Sequence, residues 1–261
     1  MHRLMLAIFT ALGLTIAQAQ AAQAATVLIN GANRGIGLEF AKQYAGAGWT
    51  VIATARNPDQ AKDLNALAAK HPNLSVRKLD IVDAGQVAAL ARDLKGQPID
   101  VLLNNAGVLG DLKTQALGAF DYANFQQVMG ANVFGALAVS EALRDNVAAS
   151  AQKKIVTITS GIGAITRRVG PTSLYFYGIS KAAVNKGMQN MAADLNPRGI
   201  IVALMSPGTV ETDMRHQLVG DLAAKDERPE IAIASMRKVI EGMTLANTAK
   251  PLSYDGKEQP W

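Results

Sequence analysis

The chain of 261 residues contains no cysteine and only three histidines, His2, His71 and His216. The lack of cysteine excludes disulfide bonds, thiolate catalysis and thiolate metal sites, although it does not identify the compartment. No two histidines have the spacing of metal ligands on one helix. We therefore expect neither a bound metal nor a catalytic triad that depends on histidine.

Long runs of one charge are also missing. Lys and Arg number 26 against 21 Asp and Glu, which gives a net charge of +5. The basic residues are scattered, without a block of about five or six and without interleaved aromatic residues, so we expect no nucleic-acid partner. An anionic cofactor and general solubility explain the positive charge. With 49% hydrophobic and 18% charged residues, the composition is that of an ordinary globular protein.

The N-terminus differs from the rest of the chain. A short basic start at His2 and Arg3 precedes an apolar stretch over residues 4–16, and small-x-small cleavage sites follow. This order predicts a secretory signal peptide at 1–24 and a periplasmic or secreted domain at 25–261. The apolar stretch is shorter than the roughly 20 residues of a membrane-spanning helix. The alternatives are an uncleaved, membrane-anchored segment and a wrongly assigned start codon of a cytoplasmic enzyme.

From Thr26 onward, strand-like apolar segments alternate with helical patterns, without a linker. Such alternation predicts a single α/β domain with a doubly wound parallel sheet and helices on both faces. We expect helices to begin at Pro58-Asp59 and at Asp83. The predicted strands lie near 26–30, 50–54, 74–80, 99–103, 154–159, 199–205 and 252–254. The predicted helices lie near 35–47, 59–70, 83–95, 121–149 and 175–196.

A glycine-rich turn joins the first predicted strand to the first predicted helix. Gly31, Gly35 and Gly37 follow an apolar run with the spacing G-x-x-x-G-x-G. Glycines let the backbone approach a phosphate closely, and the first N–H groups of the helix then face the anion. The pattern predicts a dinucleotide site, with a tight structural turn as the alternative.

Tyr177 and Lys181 begin the last long helical pattern and stand four residues apart, so both side chains can point into one site. A neighbouring cation stabilises a phenolate, which predicts that Lys181 lowers the pKa of Tyr177. Such a tyrosine can exchange a proton with a carbonyl or alcohol oxygen. Ser160 follows a predicted strand and can hold that oxygen, or can simply turn the chain. A surface tyrosine beside a solvated lysine is the alternative.

Several motifs in this order resemble those of the short-chain dehydrogenase/reductase family, from about Thr26 to Trp261. The tail Tyr254–Trp261 resembles that of the C-factor-like, carbonyl-reductase branch. The matching segments are the glycine turn with Asn30 in place of the family's usual threonine, Asn104-Asn105-Ala106-Gly107, Asn132-Val133-Phe134-Gly135, the Ser160, Tyr177 and Lys181 set, and Ser206–Thr212.

The resemblance implies a Rossmann-type fold and a catalytic tetrad. Tyr177 would donate the proton, and Lys181 would lower its pKa and bind the nicotinamide ribose. Ser160 would orient the carbonyl, and Asn132 would support Lys181 through a water-linked relay. Ligands of such sheets bind beyond the carboxyl ends of the strands. The predicted cofactor-binding residues are Gly31, Asn33, Arg34, Gly35, Ile36, Gly37, Arg56, Asp80, Ile81, Asn104, Ala106, Gly107, Tyr177, Lys181, Pro207, Gly208, Val210 and Thr212.

The residues after the second predicted strand favour NADP(H) over NAD(H). An NAD site usually has an acidic residue there, which binds the ribose 2′-hydroxyl. Here Arg56 stands in that place, and Arg34 lies in the glycine turn. Two guanidinium groups can bind a 2′-phosphate.

The sequence therefore predicts an NADP-dependent oxidoreductase that transfers hydride between nicotinamide and a small carbonyl or alcohol substrate. A non-catalytic dinucleotide-binding protein and an exported interaction protein on the same fold are the alternatives. The resemblance also implies a homo-oligomer, a dimer or tetramer, with 121–149 and 175–196 as a possible dimer face. The family carries a variable lid at 214–234. The apolar residues in and next to this segment can cover the site or can pack in the core, and the sequence does not distinguish the two. They are Met214, Leu218, Leu222 and Met236.

Overall fold

The computed structural model describes residues 24–166, 170–171 and 173–260. The predicted signal peptide, except for Ala24, lies outside the described residues, as does Trp261. Within the described part of the chain, no helix is long and apolar enough to cross a membrane.

The described residues form one seven-stranded parallel sheet. Its strands are β1 (Thr26–Asn30), β2 (Thr50–Ala55), β3 (Leu74–Lys78), β4 (Val101–Asn104), β5 (Lys154–Ile158), β6 (Ile201–Ser206) and β7 (Pro251–Ser253). The strand order is β3-β2-β1-β4-β5-β6-β7. The crossover from β3 to β4 sets β1 beside β4, with Asn30 opposite Asn104 at their carboxyl ends. Ligands bind at this point of reversal in doubly wound sheets.

Helices cover both faces of the sheet. In the described residues they are α1 (Gly35–Gly46), α2 (Lys62–Lys70), α3 (Ala84–Asp93), α4 (Tyr122–Met129), α5 (Gly135–Ala148), α6 (Tyr175–Leu195), α7 (Asp213–Val219) and α8 (Pro229–Glu241). Helices α1, α2 and α8 pack on one face, where Phe40 and Ile233 are fully buried. Helices α3, α5 and α6 pack on the other, around Leu143 and Met188. The predicted fold class is confirmed.

Of the two helix starts predicted from local signals, the one at Asp83 is correct. Asp83 precedes α3, and its carboxylate accepts a hydrogen bond from the Gln86 N–H at 3.0 Å. This is the cap that an aspartate supplies to a helix. At the predicted start Pro58-Asp59 the chain forms only a short 3₁₀ turn, and α2 begins at Lys62.

The stretch predicted as one helix over 121–149 is interrupted. Between α4 and α5, residues Gly130–Phe134 form a wider turn of the π type. The apolar periodicity continues through this turn, which is why the sequence indicated a single helix. Such wide turns are frequent at functional sites, and this one contains the buried Asn132.

The sequence did not predict the helices of the 214–234 region. The structure has α7, a 3₁₀ stretch over Gly220–Lys225 and the first part of α8 there. Met236 is fully buried in the core, whereas Leu222 is 60% exposed. Core packing is therefore the correct interpretation for Met236 and not for Leu222.

Candidate active site

The glycine turn between β1 and α1 packs against the loop that follows β4. Gly31 has a φ of +67°, and a Cβ there would lie 2.8 Å from the Cα of Ala106. A Cβ on Gly37 would collide with the Gly31 carbonyl oxygen and with the Asn105 side chain. Only glycine permits this close approach of two backbones.

The start of α1 is open to a ligand. The residue before the helix, Arg34, makes no side-chain cap, which leaves the first N–H groups of α1 for an anion. On the other side, a Cβ on Gly35 would lie 3.5 Å from the Thr212 methyl group. The glycine turn and the 206–212 segment thus form a cradle that fits the pyrophosphate of a dinucleotide.

Asn30 holds the glycine turn to the loop after β4. Its Nδ2 donates to Oδ1 of Asn104 at 2.8 Å. Its Oδ1 accepts the N–H groups of Asn105 at 2.9 Å and of Ala106 at 2.7 Å. Asn104 in turn donates to the hydroxyl of Ser140 at 2.7 Å. Asparagine therefore makes three hydrogen bonds at the position where the family usually has threonine.

Ser160 and Tyr177 meet at the carboxyl end of β5. The Ser160 side chain interacts with the Tyr177 hydroxyl and by itself lowers the pKa of that phenol. The Ser160 Oγ also accepts the N–H of Ile162 at 3.2 Å. The serine therefore turns the chain beside the phenol, and its role in holding the substrate oxygen stays a prediction.

Lys181 reaches the same site from one turn further along α6. Its side-chain Nζ donates to the carbonyl oxygen of Ile158 at 3.0 Å and lies 5.5 Å from the centroid of the Tyr177 ring. Lys181 is only 6% exposed. Burial disfavours the ammonium form and lowers the pKa of Lys181 to about 8.

The predicted lowering of the Tyr177 pKa is wrong in direction. Burial raises the pKa of Tyr177 to about 12, and the interaction with Ser160 opposes this only in part. The nearby Lys181 does not reverse this effect of burial on the Tyr177 pKa. Burial also disfavours the charged form of Lys181, whose Nζ donates to the carbonyl oxygen of Ile158. In this structure Tyr177 is a neutral phenol, the form that can donate a proton.

Asn132 supports the site through the backbone of the loop after β4. Its Oδ1 accepts the N–H of Val108 at 2.8 Å, and its Nδ2 donates to the Val108 carbonyl at 2.9 Å and to Ser180 at 2.9 Å. A Cβ on Gly107 would lie 3.1 Å from Asn132 and 3.8 Å from Nζ of Lys181. Gly107 thus lies between Asn132 and Lys181, and the water-linked support of Lys181 by Asn132 stays a prediction.

The remaining predicted cofactor residues differ in what they contact. Ile81 is a core residue that packs against Gly135. A Cβ on Gly135 would lie 2.6 Å from the Ile81 side chain. Gly208 has a φ of +75° and packs against the Tyr254 ring, and Val210 is buried. The residues that are exposed or half-buried in the turns after the strands, or in the first turn of α1, are Asn33, Ile36, Asp80 and Pro207.

Arg34 and Arg56 are both exposed. Arg56 follows β2 directly, and β2 contains no acidic residue. Arg34 forms an ion pair with Asp213, in which Nη1 lies 3.2 Å from Oδ2 and the side chains are 71% and 73% exposed. The sequence did not predict Asp213 as a partner of Arg34.

Three polar side chains that hold the site carried no sequence signal. Ser140 accepts from Asn104, and Ser180 accepts from Asn132. Gln115 contacts the backbone of Tyr177. Each is a common polar residue within a helical or loop pattern, so only the three-dimensional contacts distinguish it.

The chain is similar to known dehydrogenases over most of its length. The family model described as short chain dehydrogenase matches residues 25–223. C-signal of Myxococcus xanthus is 34% identical over 173 residues, which cover 66% of this chain and 99% of that protein. NADPH-bound carbonyl reductase from chicken fatty liver superimposes with a TM-score of 0.81 and 28% identity, covering 92% of this chain and 100% of its own. The carbonyl reductase Sniffer of Drosophila melanogaster has the same TM-score, 0.81, at 25% identity, covering 91% of this chain and 100% of its own.

Stability should depend on pH through Lys181. Its pKa falls from 10.5 to about 8 on burial, so between these values the unfolded chain holds a proton that the folded chain has lost. The free energy of unfolding therefore rises with pH across this window, by on the order of 3 kcal/mol. Lys181→Met removes that rise.

Urea unfolding of both proteins from about pH 7 to about pH 10.5 measures the effect. Groups other than Lys181 titrate in both proteins, so the difference between them isolates the lysine. A difference that stays constant with pH would contradict the lowered pKa.

Proposed function

The chain belongs to the short-chain dehydrogenase family, and we propose that it is an NADP(H)-dependent oxidoreductase in which Tyr177 is the acid or base. The family and the likeness to carbonyl reductases support an NAD(P)-dependent oxidoreductase that acts on small carbonyl or alcohol compounds. The observation that carries the finer proposal is the placement of the Tyr177 ring, with Nζ of the buried Lys181 5.5 Å from its centroid and Ser160 interacting with its hydroxyl.

The site residues orient the substrate and move the proton. A nicotinamide cofactor held by the glycine turn and the 206–212 segment would supply the hydride for reduction of the carbonyl carbon. The hydroxyls of Ser160 and Tyr177 hold the carbonyl oxygen, and the phenol proton passes to that oxygen as negative charge develops there. The phenolate left on Tyr177 is favoured by the ammonium of Lys181, which is charged below its pKa of about 8. The reverse sequence oxidises an alcohol.

Tyr177→Phe tests the acid directly. We expect turnover to fall by about 10²- to 10⁴-fold, because a positioned acid contributes a factor of that size. Binding of NADPH, followed by fluorescence, should change little, since only one oxygen is removed. The matched control is Tyr175→Phe, which removes the same oxygen from an exposed ring on the same helix. Unchanged turnover in Tyr177→Phe contradicts the assignment.

NADP(H) is the proposed cofactor because of the charge at the end of β2. Arg56 stands where an NAD site has a carboxylate, and Arg34 lies in the glycine turn. Both guanidinium groups are exposed and can bind the 2′-phosphate by charge-assisted hydrogen bonds. The NADPH bound to the chicken carbonyl reductase is consistent with this preference.

Arg56→Ala should lower kcat/KM for NADPH by about 10- to 100-fold, the loss expected for a hydrogen bond to a charged group. The value for NADH should stay the same, because NADH lacks the phosphate. Arg92→Ala on α3 is the control for loss of an exposed positive charge. Comparable kcat/KM values for NADPH and NADH in the unmodified protein would rule the preference out.

We also propose that the protein is a homodimer through the α5–α6 face. A groove of about 480 Å³ runs between these helices, with apolar walls that include Leu137 and Met191. Glu141, Arg144 and Asp194 lie at the same groove. Because the patch carries both signs of charge, two copies related by a two-fold axis can place the basic group of one opposite the acidic groups of the other.

Ala138→Arg places a charge in this groove and should convert the dimer into a monomer in light scattering coupled to gel filtration. A buried unpaired charge opposes association. Ile231→Arg changes an apolar residue on α8 that is 45% exposed, and it should leave the dimer intact. A monomeric unmodified protein would contradict this proposal.

A further inference from the structure

Gln115 lies in the loop between β4 and α4, and its side chain is fully buried, with 0% exposure. Its Oε1 accepts the backbone N–H of Tyr177 at 3.2 Å. Its Nε2 donates to the carbonyl oxygen of Leu109 at 2.9 Å and to that of Asp111 at 3.3 Å. One buried amide therefore joins the loop after β4 to the first turn of α6.

The first turn of α6 needs such a partner. The residue before the helix, Leu174, supplies no side-chain cap, and the first N–H groups of a helix have no partner within it. Tyr177 is the third residue of α6, so its N–H is one of these groups. A buried N–H without an acceptor costs about 1–3 kcal/mol. Gln115 supplies the acceptor from a distant part of the chain.

The carbonyl oxygen of Tyr177 is held as well. It accepts the Ser180 hydroxyl at 2.7 Å, and Ser180 accepts Nδ2 of Asn132 at 2.9 Å. Side chains from the segment between β4 and α5 thus fix Tyr177 at both polar atoms of its backbone, Gln115 through the N–H and Asn132 through Ser180.

We infer that Gln115 is a positioning residue for the proposed reaction, because it sets where the Tyr177 hydroxyl lies relative to Ser160. The inference rests on the proposed function for its catalytic meaning. Proton transfer depends steeply on distance, and a shift of about 1 Å in a reacting group can cost about 10²-fold in rate. The three hydrogen bonds of the Gln115 side chain all go to backbone groups.

Asn124 offers a matched control, because it clamps the same loop without a hydrogen bond to α6. Its Oδ1 accepts the N–H of Asp111 at 3.1 Å. Its Nδ2 donates to the Asp111 carbonyl at 2.9 Å and to Thr114 at 3.0 Å. Asn124 is also buried, with 6% exposure. Loss of either amide weakens the loop, but only loss of Gln115 releases the Tyr177 N–H.

The kinetic experiment compares Gln115→Met, Gln115→Asn and Asn124→Leu in the full chain. Methionine keeps the length of Gln115 without its hydrogen bonds, and asparagine keeps an amide that is one methylene too short to reach Tyr177. Both Gln115 variants should lower kcat by about 10- to 100-fold with little change in KM for NADPH. Asn124→Leu should lower the melting temperature but leave kcat within about threefold.

Hydrogen exchange supplies a second readout that needs no activity. In the unmodified protein the peptide that contains Tyr177 should exchange slowly, since Gln115 accepts its N–H. Exchange there should accelerate in both Gln115 variants and stay slow in Asn124→Leu.

The outcomes separate the inference from the proposed function. The positioning role is overturned if kcat of Gln115→Asn equals that of the unmodified protein. It is also overturned if the Gln115 variants lose no more kcat than Asn124→Leu does. Slow exchange at Tyr177 in either Gln115 variant also overturns it. If Gln115→Met does not fold, Gln115→Asn decides alone. An unmodified protein without any oxidoreductase activity refutes the proposed function, and the exchange measurement still decides whether Gln115 holds Tyr177.

Discussion

The site depends on the hydrogen bond between the side chains of Asn30 and Asn104, which joins the ends of β1 and β4 at 2.8 Å. Oδ1 of Asn30 accepts two N–H groups of the loop after β4. Nδ2 of Asn104 donates to the hydroxyls of Ser140 and Thr157. An unpaired buried amide costs about 1–3 kcal/mol, so this set of partners favours one arrangement of the two strand ends. The glycine turn and the loop that contacts Asn132 are thereby fixed relative to each other.

Uncharged hydrogen bonds continue from this edge to Tyr177. Because Asn132, Ser180 and Gln115 carry no charge, they hold the backbone of Tyr177 without favouring the charged form of its phenol. Burial then dominates both titrations, raising the pKa of Tyr177 to about 12 and lowering that of Lys181 to about 8. A single cause, the loss of water, therefore keeps the phenol protonated while leaving the amine able to charge near neutral pH.

The sequence predicted the parts of this protein that depend on local pattern. Alternating segments indicated the doubly wound sheet, the end of a predicted strand indicated Ser160, and the four-residue spacing indicated that Tyr177 and Lys181 share one site. The direction of the Tyr177 pKa shift was not predictable, because it depends on burial by distant segments. The wide turn around Asn132 was hidden by a periodicity that runs through it. Gln115 gave no signal at all, since an isolated glutamine in a loop is ordinarily solvated.

The ion pair between Arg34 and Asp213 links the glycine turn to α7, yet it is a weak link. Both side chains are more than two-thirds exposed, and an exposed pair contributes about 0–1 kcal/mol. A hydrogen bond from a guanidinium to a phosphate contributes about 1.5–3 kcal/mol. In the proposed NADP(H) site, Arg34 would therefore leave Asp213 for the 2′-phosphate with a net gain, whereas a cofactor without that phosphate would leave the pair intact. Under this proposal, discrimination between the two cofactors would depend on the part of the phosphate's interaction energy that remains after this exchange. Arg56, which follows β2 directly, is the second cation that would contribute to it.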